Sequence, residues 1–336
     1  MGKAPVACPP LCDNRGGHAT GALPTLQARA QILHTIRQFF LERGVLEVET
    51  PLLSPATVTD PYIISMTTFF QERGARDSET LYLQTSPEYA MKRLLANGSG
   101  SIFQLTKAFR QGDIGRHHSP EFTMLEWYRI GFDHHALMDE MDELLSLILK
   151  TPPAYRMTVQ DAYQEYVNIN PHTARASELI DCATRHGIDV STDGREDTNF
   201  WLDVLFTQAL EPHLGKDRPC FLYDFPVSQA ALAKIRMDED IPVASRFEVY
   251  FKGVELANGF HELQDVTEQR HRFENDLSVR QKNNIQLVPI DENFLNALEQ
   301  GLPDCAGVAL GVDRLIMLAL KKNHIADIMI GIEAIL

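Results

Sequence analysis

Leu26, Ala30, Leu33, Ile36 and Phe40 recur at steps of three and four, which predicts a helix over 25–43 with Thr25 as its cap and Gly44 as its end. Residues 45–50 are rich in β-formers and stop at Pro51; a loop through Pro55 and Pro61 then leads to a second β-like run at 81–85. Pro87 opens a short helix, 88–96, closed by Asn97 and Gly98. Strands are expected at 101–111 and 121–130, joined by a polar loop, 112–120, that is too long for a tight hairpin and rich in Arg and His. A helix at 133–149 precedes Pro152 and Pro153, and 158–216 reads as helical without a functional signal. Further strands at 220–225 and 247–251, a charged helix at 268–282, a glycine-bounded strand at 307–311 and a helix at 312–322 complete the pattern. No repeat or linker interrupts it, so the expected organisation is one α+β domain, 24–336, behind a flexible lead-in, 1–23.

Composition narrows the function classes. The 336 residues are 44% hydrophobic and 23% charged, enough for a large core and incompatible with global disorder. A net charge of −15 argues against a broad basic surface for nucleic acid, so any phosphate site must be compact. The apolar stretch 306–320 is broken by Asp313 and Arg314, and no run of ~18 apolar residues occurs, so no membrane span is expected. Pro9, Pro10 and Asp13 interrupt any signal-peptide core. Five scattered cysteines fit a reducing cytoplasm, and Cys8, Cys12 and His18 lack a fourth ligand for zinc.

The common phosphate-loop, dinucleotide, nucleophile-elbow, zincin and paired-cysteine motifs are absent from the sequence. What remains is a series of polar clusters at strand ends. Arg110, Arg116, His117 and His118 suit a polyphosphate, or form a solvated basic loop. Strand parity places Phe122, Met124, Glu126 and Tyr128 on one face, where the carboxylate and phenol could grip an ammonium group or pair with a core arginine. Glu248, Glu255 and Glu262 fall in one β-rich segment and call for cations, magnesium beside a nucleotide triphosphate being the natural one. Because their parity differs, a bulge or kink near 257–259 is expected; the alternative is a hairpin turn at Asn258-Gly259 with solvated acids. Gly307 to Gly311 leads into a helix bearing Arg314 in its first turn.

In order and spacing these clusters resemble the three motifs of class II aminoacyl-tRNA synthetases: the 25–43 helix with GVLEVETP, then Phe109-Arg110 through PEFTMLEWY, then GVALGVDR. SPEYAMKR, HSPEFTMLEWY and ELANGFHEL are similar to the lysyl-tRNA synthetase core, over about residues 25–322. Only 24 residues precede the first helix, so the anticodon-reading barrel of those enzymes has no room here. That architecture, with Ser86 and Ala309 where lysyl synthetases usually have Ala and Gly, resembles the paralogues that attach (R)-β-lysine to a lysine side chain of elongation factor P, a tRNA-shaped protein.

The resemblance implies an antiparallel sheet flanked by helices, a homodimer formed through motif one, ATP and magnesium as co-substrate and ion, β-lysine as substrate and elongation factor P rather than tRNA as acceptor. It implies catalytic roles for Arg110 and Arg314, and an ATP site of Arg110, Gln111, Gly112, Arg116, His118, Ser119, Phe122, Glu255, Leu256, Gly311 and Arg314. Glu248 and Glu255 would position magnesium. Ser86, Pro87, Glu88, Asn258 and Ala309 would surround the amino-acid end, and Glu126, Tyr128 and Glu262 the distal ammonium. One departure stands out: the family's F-R-x-E becomes Phe109-Arg110-Gln111-Gly112, with Asp113 next. Asp113 replaces the missing glutamate only where Gly112 lets the backbone bulge, and Gly112→Glu would restore it.

Overall fold

The computed structural model describes residues 19–74, 77–189 and 197–329. In chain order the elements are α1 (Ala19–Leu41), β1 (Leu46–Glu47), β2 (Leu53–Ser54), β3 (Thr67–Phe70), β4 (Glu79–Leu83), α2 (Glu88–Ala96), β5 (Ile102–Phe109), β6 (Glu121–Ile130) and α3 (His134–Leu149). There follow β7 (Tyr155–Thr158), α4 (Val159–Val167), α5 (Ala176–Arg185), α6 (Thr198–Leu205), β8 (Cys220–Pro226), β9 (Ile235–Asp238), β10 (Ile241–Phe251) and β11 (Val254–His261). The remainder is α7 (Val266–Lys282), α8 (Glu292–Gly301), β12 (Cys305–Gly311) and α9 (Val312–Ala319).

Nine strands form the main sheet in the order β1-β5-β6-β12-β11-β10-β8-β7, with β9 beside β10; a separate sheet runs β2-β4-β3. Pairing is antiparallel except at the two ends, where β1 joins β5 and β7 joins β8 in parallel. One face carries Phe103, Leu125, Trp127, Phe247, Val249, Val308 and Leu310, and it packs on residues of α1, α3 and α9 as the main core. The other face is covered at the β8 side by a cluster that includes α4, α5 and α6. At the β5 side, side chains of α2, α7 and α8 cover it. Between these two covers the sheet is left open to a ligand.

Several expectations are corrected. The first helix starts at Ala19 rather than Thr25 and carries Pro24 inside it. Its predecessor segment, including Cys8, Cys12 and His18, lies outside the described residues. The strand expected at 45–50 shrinks to two residues. The hairpin turn between β10 and β11 falls at Lys252 and Gly253, both with positive φ, and not at Asn258-Gly259. The bulge is real but sits at Leu256: Val249 pairs with Ala257 and Tyr250 with Glu255, leaving Leu256 extra. Leu256 and Ala257 therefore both enter the main core, while Glu255 and Asn258 share the polar face with their partners Tyr250 and Glu248. Strands β2, β3, β7 and β9 and helix α8 went unread, since short or edge elements leave little periodic signal.

One junction ties the first helix to the open face. Arg29 of α1 donates to Asp313 Oδ1 at 2.6 Å and to Thr123 Oγ1 at 2.8 Å, and Asp313 Oδ2 accepts from the Thr123 backbone N–H at 2.6 Å. Asp313 is buried at the start of α9, next to Arg314.

Candidate active site

A cavity of about 670 Å³ opens on the polar face of the sheet. It brings together Arg110, His118, Ser119, Phe122, Leu256, Gly311 and Arg314 at one part of its wall, and Ser86, Glu88, Asn258 and Ala309 at another, with Glu255 also in its lining. Pro87, Gln111, Gly112 and Arg116 do not line it. Glu126, Tyr128 and Glu262 lie beneath the Ser86–Glu88 part as a buried second layer.

That second layer is built by register. Cross-strand pairing sets Gln104, Glu126 and Ala309 in one row and Ile102, Tyr128 and Gly307 in the next. Glu126 is 2% exposed and is held by hydroxyls alone: Ser86 Oγ donates to Oε2 and Tyr128 OH to Oε1, each at 2.6 Å. Gly307 must be glycine, because a methyl group there would overlap the Tyr128 ring and a Glu262 oxygen. Burial, then the charge of Glu88, pushes the Glu126 carboxyl up to about 8. Burial likewise pushes Glu262 to about 7 against the pull of Lys92.

Sequence motifs do not single out Lys92. It is 1% exposed and its ammonium lies 2.6 Å from both Glu88 Oε1 and Glu262 Oε2. Burial opposes its charge, but the two carboxylates outweigh burial and hold its pKa above the usual lysine range. The signal that could have found it is the Glu88–Lys92 spacing of four on a helix, which places both side chains on one face. Glu262, expected to face a ligand ammonium unaided, is thus already paired within the protein.

The Arg110–Arg314 part of the cavity is built from irregular backbone. Arg110 follows the end of β5; its Nε is buried without a protein partner among the described residues, and its guanidinium lies 5.3 Å from the Phe122 ring centre. Arg314 donates from Nε to His117 O at 3.1 Å, from Nη1 to Glu255 O at 2.8 Å, and from Nη2 to His118 Nε2 at 2.6 Å. Because Arg only donates, His118 accepts through Nε2 and carries its proton on Nδ1. Burial and then Arg314 lower the His118 pKa, and burial and then Arg116 lower that of His117. The histidines expected to add positive charge are therefore neutral donors, and the charge comes from Arg110 and Arg314. Arg116 instead donates to Asn323 O at 2.6 Å, stapling the 112–120 loop to the segment after α9.

Gly112 has φ +88, and Asp113 beyond it reaches the cavity lining. The backbone departure that Asp113 needed is present. Gly112→Glu, expected to restore the missing carboxylate, would instead strain a left-handed backbone position, and Gly112 is not among the residues that line the cavity.

Glu248 and Glu255 share a smaller recess of about 230 Å³ with Glu211. Arg246 and Tyr250 OH both hold the Glu248 carboxylate, the phenol at 2.6 Å. Burial raises its pKa despite Arg246, with Glu255 raising it further. Glu255 lines both recess and cavity and is the carboxylate left facing the ligand space, 3.7 Å from Arg314 Nη1. Among the described residues no group of three His, Cys, Asp or Glu side chains could hold a metal by itself.

Residues 20–330 match the family described as tRNA synthetases class II (D, K and N). The elongation factor P--(R)-beta-lysine ligases of Salmonella paratyphi B, Salmonella heidelberg and Salmonella agona are each 51% identical to this chain over 310 residues, which is 92% of it and 95% of each of them. The antiparallel sheet with its open face, the three ordered motifs and a match over nearly the whole chain converge: the chain belongs to the tRNA synthetases class II (D, K and N).

Proposed function

We propose that this protein is an ATP-dependent ligase that activates (R)-β-lysine as its adenylate and transfers it to a lysine side chain of elongation factor P. The observation that carries the substrate reading is the charge balance of the buried layer. When ionised, Glu88, Glu126 and Glu262 bring three negative charges against one positive from Lys92, leaving two. A diamino acid supplies two ammonium groups, and its carboxylate is left to face Arg110. The names of the similar Salmonella ligases supply the isomer and the acceptor.

The substrate carboxylate, with a pKa near ~3.5, is already a nucleophile at neutral pH, so adenylation needs placement and charge neutralisation rather than a general base. Its oxygen attacks the α-phosphorus and pyrophosphate leaves. Arg110 takes the charge that develops on the α-phosphate, while Arg314 and the His118 Nδ1–H serve the outer phosphates. Phe122 offers adenine a ring face. Asn258, oriented by Arg246 Nε at 3.1 Å, and Ser86 flank the amino-acid end. In the second step the unprotonated acceptor amine attacks the adenylate carbonyl and AMP leaves. Glu255, with Glu248 behind it, would hold magnesium, and the ion would neutralise phosphate charge.

Exposed Leu23, Leu26 and Leu41 on α1 and Leu46 on β1 support a homodimer formed there, with residues 24–336 as one catalytic unit. No helix among the described residues is long and apolar enough to cross a membrane; the proposed acceptor, a translation factor, calls for a cytoplasmic location. The test is ATP–pyrophosphate exchange with α- and β-lysine, followed by label transfer to elongation factor P and to tRNA offered separately. The expected result is faster exchange with β-lysine and label on the factor; better exchange with α-lysine, or label on tRNA, overturns the assignment.

A further inference from the structure

We propose that Gln269 reads the head of the substrate, its carboxylate together with the neighbouring ammonium; this rests on the amino-acid activation proposed above. Gln269 is 1% exposed, lies on α7 and lines the cavity. Neither its Oε1 nor its Nε2 has a protein partner among the described residues. Buried side-chain amides are ordinarily satisfied, because leaving both ends unmade costs the desolvation of both. A buried amide in a cavity wall with both ends open is therefore completed by what the cavity holds.

Its position is fixed from both sides. One turn further along α7, Arg272 donates from Nε to Glu268 Oε1 at 2.9 Å and from Nη1 to Ala231 O and Ala233 O at 2.7 and 2.9 Å. That clamp locks the 231–233 segment to the helix. Phe273, also lining the cavity, lies 5.7 Å from the Tyr89 ring, which adjoins Glu88. The wall bearing Gln269 thus runs into the amino-acid part of the site rather than the Arg110–Phe122 part.

Chemistry selects the group it meets. A carboxamide presents one acceptor oxygen and two donor hydrogens in a plane. Phosphate oxygens only accept and would leave Oε1 unpaired; the distal ammonium only donates and would leave Nε2 unpaired. A zwitterionic head satisfies both ends at once, and the spacing of its ammonium from its carboxylate is where β-lysine differs from α-lysine. The adenine edge also offers a donor and an acceptor, so the nucleotide is the competing outcome of the test.

The experiment compares the parent with Gln269→Leu and Gln269→Met in ATP–pyrophosphate exchange, using β-lysine and 6-aminohexanoate, which keeps the carboxylate and distal ammonium but lacks the β-amino group. Each acid is measured as substrate or as competitive inhibitor. The expected result is a loss of about tenfold in kcat/KM for β-lysine, carried by KM, and ~3-fold or less for 6-aminohexanoate, with the KM for ATP unchanged. Melting of the free variants should be at or above the parent, since an open buried amide is replaced by an apolar group of similar size. Equal losses on both acids, no loss, a raised KM for ATP, or a joint fall in melting temperature and every activity overturns the assignment. A parent inactive with β-lysine but active with another amino acid refutes the substrate reading itself, a result distinct from any of these.

Discussion

Around Ser86 and Glu88 the charged side chains are held by other side chains, whereas across the cavity Arg314 rests mainly on backbone carbonyls, with His118 and Glu255 beside it, and Arg110 keeps an open Nε. Lys92, Glu88, Glu126, Tyr128 and Glu262 hang on α2, β6 and the end of β11, and they are held by one another and by Ser86. Arg314 leans on two carbonyls and His118, with the Glu255 carboxylate at 3.7 Å, and Arg110 keeps an open Nε. The first arrangement is an internal network whose loss is felt by the fold. The second is a set of donors whose loss is felt by the reaction.

The harshest way to break that contrast is Lys92→Met, which leaves buried Glu262 and half-buried Glu88 without their cation. A loss of ~3–5 kcal/mol in urea unfolding is expected, and Lys92→Met with Glu262→Gln should recover part of it. Strict additivity of the two changes would show that the network is not coupled. Next comes Arg110→Ala, for which adenylation should slow by ~10²–10³-fold with stability close to the parent. If it unfolds as readily as Lys92→Met, the two ends do not differ as described.

Protons sharpen the comparison further. Glu126 is raised in the folded protein to about 8, so its protonated form favours folding. That contribution is fully present below the ordinary carboxylate range and is lost as pH rises through about 8. Substrate binding needs the ionised form, so kcat/KM for β-lysine should climb by up to ~10-fold per pH unit between pH 6 and 8, and Glu126→Gln should flatten the climb. A flat parent profile removes Glu126 from ammonium recognition. The smallest effect belongs to the base: Asp113→Ala should lower the preference for ATP over GTP by ~10-fold or less, at most about 1.4 kcal/mol, measured in adenylate formation. Gly112→Glu should not raise it, since left-handed backbone costs a side chain about 1–2 kcal/mol.

The same contrast explains what could be read from the sequence. Strand β6 and helix α2 were placed to the residue, because period two and a Pro-to-Asn-Gly frame specify them locally, and so Glu126 and Tyr128 were correctly put on one face. The need for a bulge in β11 followed from the parity of Glu255 and Asn258, but its place at Leu256 depends on how β10 pairs across the sheet. The 112–120 loop has no period, so nothing in it revealed that Arg116 turns away to Asn323 or that its histidines would be neutral. Gln269 was invisible for another reason: its significance lies in lacking partners, which only the folded surroundings define.

In the homodimer proposed above, the Arg29–Asp313–Thr123 junction would make protein concentration a catalytic variable. Asp313 adjoins Arg314 and Thr123 adjoins Phe122, so the helix proposed to join two copies is bolted to the chain neighbours of both cavity-lining residues. Dilution that separates the copies frees α1 on its outer side, and the bolt then has a moving anchor. Specific activity at saturating substrates should therefore fall on dilution along the same curve as assembly, while an isolated copy keeps its buried amine layer intact.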